Sequence, residues 1–301
     1  MNIMDKPINL AAIDIGSNGA RLLIKRFDCD PKASQPIRKL LFLRIPLRLG
    51  RDVFTLGKIS KQRARMMLHM MCAFEELMEV YEVKEYWACA TSAMRDAENG
   101  QKVLKAIEKE CGIKLKIIPG SEEARLLCNN LLEHTETSVG NYAYVDVGGG
   151  STEISLLHDG ILVESHSFNV GTLRLLGGKV TDEEKTNMRK LLEDYARELD
   201  TIKIVGSGGN INRLYKMARE KGADKTLKVS LLEELYNRLA PLSPEERQKT
   251  FGLKEDRADV IVPAAEIFPT VAEALQCQEI LVPNISLADC IVDGLYRSLI
   301  L

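Results

Sequence analysis

Ala11-Ala12-Ile13-Asp14-Ile15-Gly16-Ser17-Asn18 and Ala143-Tyr144-Val145-Asp146-Val147-Gly148-Gly149-Gly150-Ser151 are two writings of one device, 132 residues apart (14 to 146). Each is an apolar run suited to a buried strand, ends in an aspartate, and breaks into a glycine turn before a second strand-like run. Two copies at half-chain spacing predict two similar α/β lobes facing each other across a cleft.

Working outward, strands are expected at Ile8–Ile15, 21–27, 39–47, 86–90 and 114–118 in the first half. From Ser60 the period becomes helical, with Ala64, Met67, Leu68, Met71, Phe74, Leu77, Met78 and Tyr81 on one face, read as core-facing rather than as a sticky surface. Asn99 is placed to cap a helix ending near Gly112, and Pro119-Gly120 turns into a helix from Ser121. The second half repeats the scheme, with strands at 142–147, 152–157, Ile161–Phe168, 202–205 and 280–282 and a terminal helix over 286–301. Thr181/Glu184, Ser230/Glu233 and Ser243/Glu246 read as capping boxes.

The 301 residues suffice for about two domains, and 45% hydrophobic content supplies their cores without help from metals or disulfides. A net charge of −2 provides no global field for nucleic acid or an anionic membrane, so any polyanion must be held by local basic groups and backbone amides. The seven cysteines (29, 72, 89, 111, 128, 277 and 290) show no CxxC or metal-ligand spacing. They read as reduced, mostly buried thiols of a cytoplasmic protein. Residues 1–6 carry no signal-peptide pattern, and no apolar run is long enough to span a bilayer.

The glycine turns carry the chemistry. Bound phosphate needs backbone N–H groups brought close, and glycine permits that approach. A strand-end Asp beside such a turn can hold Mg²⁺. A single Asp-x-Gly turn is common in hairpins; two related copies, with Gly206-Ser207-Gly208-Gly209-Asn210 between a strand and a helix, say more. In Ile118-Pro119-Gly120-Ser121-Glu122-Glu123-Ala124, acids in a first helical turn ordinarily compensate the helix dipole. One of the two could instead orient a water for attack on phosphorus, and the residues alone do not choose between Glu122 and Glu123. Arg21, Arg48, Arg95 and Arg257 are each ordinary surface residues taken singly, but Arg21 and Arg95 follow strand ends, where ligands gather and guanidinium groups fit phosphate. His69, His134, His158 and His166 form no HxH or HExxH pattern, and neither GxSxG nor GxxxxGK[ST] occurs. Histidine-metal hydrolases, serine esterases and Walker-type NTPases are therefore unsupported.

Six motifs in order resemble the exopolyphosphatase / guanosine pentaphosphate phosphohydrolase family, a branch of the actin–hexokinase–chaperone superfamily. They are Asp14-Ile-Gly-Ser-Asn-Gly-Ala-Arg21, Ala90-Thr-Ser-Ala-Met-Arg95-Asp-Ala, Gly120-Ser-Glu-Glu123-Ala-Arg, Asp146-Val-Gly-Gly-Gly-Ser-Thr-Glu153, Val205-Gly-Ser-Gly-Gly-Asn210 and Arg257-Ala-Asp-Val260. The resemblance implies two ribonuclease-H-like lobes around the cleft, 1–127 and 128–285, with 286–301 packing back on the first. Longer members add a helical HD-type domain, so a short two-domain form is implied here.

The implied roles follow position by position. Glu123 matches the catalytic base and Arg95 the cleft arginine. Asp146 and Glu153 match carboxylates near a divalent Mg²⁺. Asp14, Gly16, Ser17 and Asn18 match the first phosphate loop, and Gly148, Gly149, Gly150 and Ser151 the second. Gly208 and Gly209 of the third loop join the phosphate-binding positions, and Arg21 and Arg257 line the path of a longer anion. Gly19 stands where Ser is usual, Pro119 precedes Gly120 in place of Ser, and Asn210 stands where Thr is common. The implied activity is removal of the terminal phosphate of polyphosphate or guanosine pentaphosphate, the alarmone of the stringent response. No nucleic-acid or membrane partner is expected, and a homodimer is compatible with the resemblance. The competing readings are an ATP-dependent acetate- or sugar-kinase-like transferase and a non-catalytic polyphosphate or alarmone sensor. Glu-Glu-Ala and the Thr-Ser-Ala-Met-Arg-Asp-Ala loop argue against the first, and intact Glu123, Asp146 and Glu153 against the second.

Overall fold

The computed structural model describes residues 7–28, 36–134, 139–218 and 225–300. The leaderless reading of residues 1–6 and the thiol of Cys29 lie outside these. The chain divides into two units, Met1–Pro119 with Leu287–Leu301, and Gly120–Ser286. The first contains β1 (Ile8–Ile15), β2 (Ala20–Phe27), β3 (Ile37–Ile45), α1 (Leu49–Leu56), α2 (Lys61–Val80), β4 (Glu85–Ala90), α3 (Ser92–Asp96), α4 (Gly100–Cys111) and β5 (Leu115–Ile117). The second runs from α5 (Gly120–His134) through β6 (Asn141–Val147), β7 (Thr152–His158), β8 (Ile161–Phe168), α6 (Thr172–Leu176), α7 (Asp182–Glu198) and β9 (Ile202–Ser207). It continues with α8 (Gly208–Ala218), β10 (Thr226–Lys228), α9 (Val229–Leu239), α10 (Pro244–Phe251), α11 (Glu255–Ala258), α12 (Ile261–Ala274) and β11 (Glu279–Leu281). The closing helix α13 (Leu287–Ile300) belongs to the first unit.

The two sheets share one plan. The first has the order β3-β2-β1-β4-β5, and the second β8-β7-β6-β9-β11 with β10 added at the edge. In each, the first three strands pair antiparallel and the rest of the shared plan is parallel. The central strands are covered on both faces, so Leu10 to Ile13 and Ala143 to Val145 form continuous buried runs instead of alternating. At the edge, β3 exposes Ile37 and Phe42 but carries Arg38, Lys39 and Arg44, charges that discourage pairing with another strand. In the second unit, Ala143, Val145 and Val147 face one core with residues of α7, α9 and α12, while Tyr142 and Tyr144 meet Cys128 of α5 on the other.

Several local expectations are corrected. The cysteines are not all thiols: Cys72 of α2 and Cys111 of α4 are joined by a disulfide, because two neighbouring helices bring their Cα atoms to 5.0 Å. Cys89, Cys128, Cys277 and Cys290 are buried thiols outside any disulfide, and burial pushes the Cys128 thiol up to about 12. Asn99 sits at the cap position of α4 without capping it, since its amide exchanges hydrogen bonds with the N–H and carbonyl of Ile59. Thr181 accepts from the Glu184 N–H, but the Glu184 carboxylate turns to Asn169, leaving half a capping box. Ser230 is inside α9, which starts at Val229, whose N–H donates to the Gln278 carbonyl. Only Ser243/Glu246 completes its box. The boundary expected within 127–128 falls at Pro119/Gly120, since α5 is one continuous helix packed on β7 and β8. Short helices α1, α3 and α6 escape the periodicity because they are too brief to show one.

Helix α13 packs on β1, β2 and β4, and its attachment is partly ionic. The Lys25 ammonium, only 5% exposed, reaches Asp293 at 2.7 Å and Asp289 at 3.3 Å, with Lys39 on Asp289 at 2.7 Å. The ring of Tyr296 stacks on Phe27 at 4.1 Å. Removing the lysine alone would take a buried cationic partner from Asp293 and leave Asp289 to the more exposed Lys39. Lys25→Met is expected to cost about 3–5 kcal/mol of stability in urea unfolding. A loss below about 1 kcal/mol would mean that water already solvates the cluster.

Candidate functional site

In the second unit the strand-end loop is held by its carbonyls. Gly148 N–H closes the turn on the Ser151 carbonyl at 2.9 Å. The Gly148 carbonyl accepts from Thr172 N–H (3.0 Å), and that of Gly149 from Leu173 N–H (2.8 Å) and Arg174 N–H (3.2 Å). The Gly150 carbonyl accepts from Arg174 Nε at 2.7 Å. The peptides of the described residues are trans, so each carbonyl lies opposite the next residue's N–H. The N–H groups of Gly149, Gly150 and Ser151 are therefore directed away from α6, a run of donors of the kind that receives an anion.

The carboxylates expected at a metal stand beside this loop. Asp146 and Glu153 are direct partners in the β6/β7 register, which puts their side chains on the same face. Glu153 is 3% exposed, and its Oε1 accepts from Ser151 Oγ (2.6 Å) and Ser167 Oγ (2.9 Å). No group of three or more His, Cys, Asp or Glu suited to a metal occurs among the described residues. Two facing carboxylates nevertheless fit Mg²⁺, which is ordinarily held by one or two carboxylates together with phosphate oxygens and water. Glu123 lies in the first turn of α5 and is 9% exposed, whereas Glu122 is half-buried. Helix α5 is seated on β7 in part through Ser155 Oγ, which donates to the Ala124 carbonyl at 3.3 Å.

The third loop locks onto both. Gly208 has φ +85°, and a Cβ there would overlap Asp146 Oδ1 and lie 3.0 Å from its Cγ, so glycine is required twice over. Asn210 is buried; its Nδ2 donates to the Val147 carbonyl at 2.7 Å, one residue before the glycine loop. Its Oδ1 accepts from Arg257 Nη1 at 3.0 Å, and the guanidinium lies over Gly209. Arg257, expected along an anion's path, thus also braces the third loop against the second.

The first unit repeats the loop with different partners. Gly16 N–H closes on the Gly19 carbonyl at 3.1 Å, while the Ser17 and Asn18 carbonyls accept from Gly50 N–H (2.9 Å) and Arg48 N–H (3.1 Å). The N–H groups of Asn18 and Gly19 accordingly point away from α1. Ser17 Oγ shares a hydrogen bond with Ser92 Oγ at 2.8 Å. The departure at Gly19 has a local cause: a Cβ there would come within 3.0 Å of the Ile45 carbonyl. Asp14 is ion-paired with Arg21, its direct register partner on β2. Arg95 on α3 is half-buried and donates from Nη1 to the Ile118 carbonyl at 2.9 Å.

Sequence reasoning missed the supports. Thr172, Arg174 and Ser167 have no motif of their own, Ser92 lies in the motif at 90–97 with no role assigned to it, and Asn210 stood out only as an unusual residue in its loop. The one available signal was Gly171, a glycine just after a strand and before a short helix.

Residues 32–298 match the family model described as the Ppx/GppA phosphatase family. Among curated relatives, Exopolyphosphatase 1 of Mycobacterium tuberculosis is 27% identical, over 91% of this chain and 84% of the relative. Exopolyphosphatase 1 of Mycobacterium leprae is 25% identical over 91% and 85%. Among solved structures, an exopolyphosphatase from Cytophaga hutchinsonii superposes with a TM-score of 0.82 at 23% identity, covering 97% of both chains. The Aquifex aeolicus Ppx/GppA family member gives 0.74 at 24%, covering 97% of this chain and 99% of its own. These likenesses establish a common fold.

The support of the second loop can be tested at Gly171. A Cβ there would fall on Gly150 C, 2.5 Å from Ser151 N and 2.6 Å from Gly150 Cα, contacts that backbone cannot absorb without moving. Gly171→Ala is expected to lower stability by about 1–3 kcal/mol through overpacking, read by urea unfolding. A change under about 0.5 kcal/mol would mean that 171–174 can retreat from the loop.

Proposed function

Because this chain belongs to the Ppx/GppA phosphatase family, we propose that it hydrolyses the terminal phosphoanhydride of inorganic polyphosphate or of guanosine pentaphosphate. Attack is in line, by a water that Glu123 orients. The observation that carries this reading is the loop at Gly148–Ser151, in which the carbonyls of Gly148, Gly149 and Gly150 are engaged from the α6 side while the N–H groups of Gly149, Gly150 and Ser151 face the other, next to the Asp146/Glu153 pair.

Phosphoryl transfer asks little covalent chemistry of a protein; it asks for positioning and for charge neutralisation on the phosphoryl oxygens. The N–H groups of Gly149, Gly150 and Ser151 supply fixed donors that need not reorganise during the reaction. Gly208 lets the third loop approach Asp146, and Gly209 leaves room for the Arg257 guanidinium. In the first unit, the loop of Asp14, Gly16, Ser17 and Asn18 offers donors of the same kind, and Arg21 and Arg95 there, like Arg257 in the second unit, carry guanidinium groups suited to phosphate oxygens. Glu123 accepts the proton of the attacking water as the new P–O bond forms and the bridging P–O bond breaks. Asp146 and Glu153 would hold Mg²⁺, which when bound neutralises phosphoryl oxygens.

Three measurements test this. Phosphate release is assayed in parallel with long-chain polyphosphate and guanosine pentaphosphate, with ATP as control and Mg²⁺ present. Tight binding of polyphosphate without release would make the protein a sensor, and turnover only of ATP with an acceptor would make it a kinase-like transferase. Glu123→Gln keeps size and hydrogen bonding but removes the charge, so kcat is expected to fall by ~10²–10⁴-fold with binding retained. Normal turnover would move the base, with Glu122 the next candidate. Arg95→Ala is expected to lower kcat/KM by roughly tenfold or more, about 1.4 kcal/mol of transition-state stabilisation. Unchanged parameters would remove Arg95 from the site.

A further inference from the structure

Helices α2 and α4 run side by side with their N-termini at the same end. At that end Asn99, just before α4, is bonded in both directions to the backbone of Ile59, just before α2, at 2.9 and 2.8 Å. Toward the far end, one turn beyond Leu68 and Ile107, the Cys72–Cys111 disulfide joins them again. Along these helices, within the first unit, lies a groove of about 490 Å³. That volume is in the range of small-molecule sites, roughly 300–1,000 Å³.

The lining of this groove divides by chemistry. Ile59, Val103 and Ile107 are buried, and Leu68, Ala64 and Ala106 flank them, so the interior is apolar. Lys58, Lys61, Arg65 and Lys102 supply four cations, and no Asp or Glu is among the lining residues. Among the described residues none of the four is in an ion pair. Their placement runs against helix electrostatics: the first turns of α2 and α4 contain no acid and carry Lys61 and Lys102 instead. Basic groups at a helix N-terminus add to its positive end and are unfavourable there. The nearest acid on the preceding helix, Asp52, is committed to Arg63 at 2.8 Å and to the Ser60 N–H at 3.1 Å. Solvated lysines on a helix face would account for one such residue; four around an apolar floor, at two wrongly charged helix starts, form a complement to an anion with an apolar body.

We propose that the α2/α4 groove is a second ligand site, which binds a small amphiphilic anion with its head at Lys58, Lys61 and Lys102 and its apolar part along Ala64, Leu68, Val103 and Ile107. The span from Lys61 to Leu68 is roughly 10 Å at about 1.5 Å per residue, which suits a short alkyl chain. The site is separate from the phosphate loops and stands whether or not the proposed hydrolysis is correct.

Octyl phosphate is the probe, with inorganic phosphate and octanol as the two halves of the molecule, each titrated by calorimetry into the full chain. Octyl phosphate is expected to bind at least tenfold more tightly than either half. The double variant Lys61→Ala/Lys102→Ala, both exposed positions outside the phosphate loops, is expected to weaken octyl phosphate at least tenfold while phosphate release from polyphosphate is unchanged. Ala106→Glu, which places a carboxylate in the groove, is expected to weaken it as well. Absence of octyl phosphate binding overturns the site. Equal binding of phosphate alone or of octanol alone overturns its amphiphilic character. Binding that survives the double variant belongs to the phosphate loops and overturns the assignment to this groove.

Discussion

A trans peptide holds its carbonyl and the following N–H on opposite sides, and both glycine loops depend on that rule. Neither loop is a free turn that happens to be rich in donors. Residues 172–174 take the carbonyls of Gly148, Gly149 and Gly150, and residues 48 and 50 take those of Asn18 and Ser17. Once those carbonyls are fixed, the orientation of the intervening N–H groups has no remaining freedom. The supports in turn are placed by the sheets, since each loop leaves a central strand buried on both faces. The orientation of these donors is thus a consequence of packing behind the loop as much as of glycine within it.

The two halves then diverge at one register position. Asp14 and Asp146 end equivalent strands, and seven residues on, directly across the hairpin, stand Arg21 and Glu153. In the first unit the aspartate faces a guanidinium and is ion-paired with it. In the second, carboxylate faces carboxylate, a juxtaposition that costs energy unless a cation or proton intervenes. Ser151 and Ser167 orient one oxygen of Glu153 by donating to it. A single exchange of residue type gives one copy of the device an aspartate–arginine pair and the other two carboxylates at the matching positions.

The first unit is completed by chain from the far end of the sequence. Lys25 on β2 is buried against two carboxylates of α13, so the strand and the terminal helix neutralise each other's buried charge. Beneath α2, Met67, Met71, Phe74 and Met78 fill the core, which is why the methionine stripe faces inward. The disulfide to α4 leaves from the same helix, close to the margin of that stripe.

Much of this was legible from residues alone. The doubled strand–Asp–glycine pattern determined two related α/β units and the positions of both glycine turns, because strand burial, glycine conformation and turn chemistry are local properties. The membership of the terminal helix in the first unit was legible through the family resemblance. What only the tertiary structure decided are matters of long-range proximity. Cys72 and Cys111 look unrelated until two helices lie side by side. Glu122 and Glu123 are equivalent in a first turn until α5 is seated on β7 and buries one more deeply than the other. Asn210 reads as a substitution in a loop until its amide is found between Val147 and Arg257. Periodicity and spacing record what a residue's neighbours in the chain require of it; partners tens of residues away leave no such record, because only the folded backbone brings them within hydrogen-bonding reach.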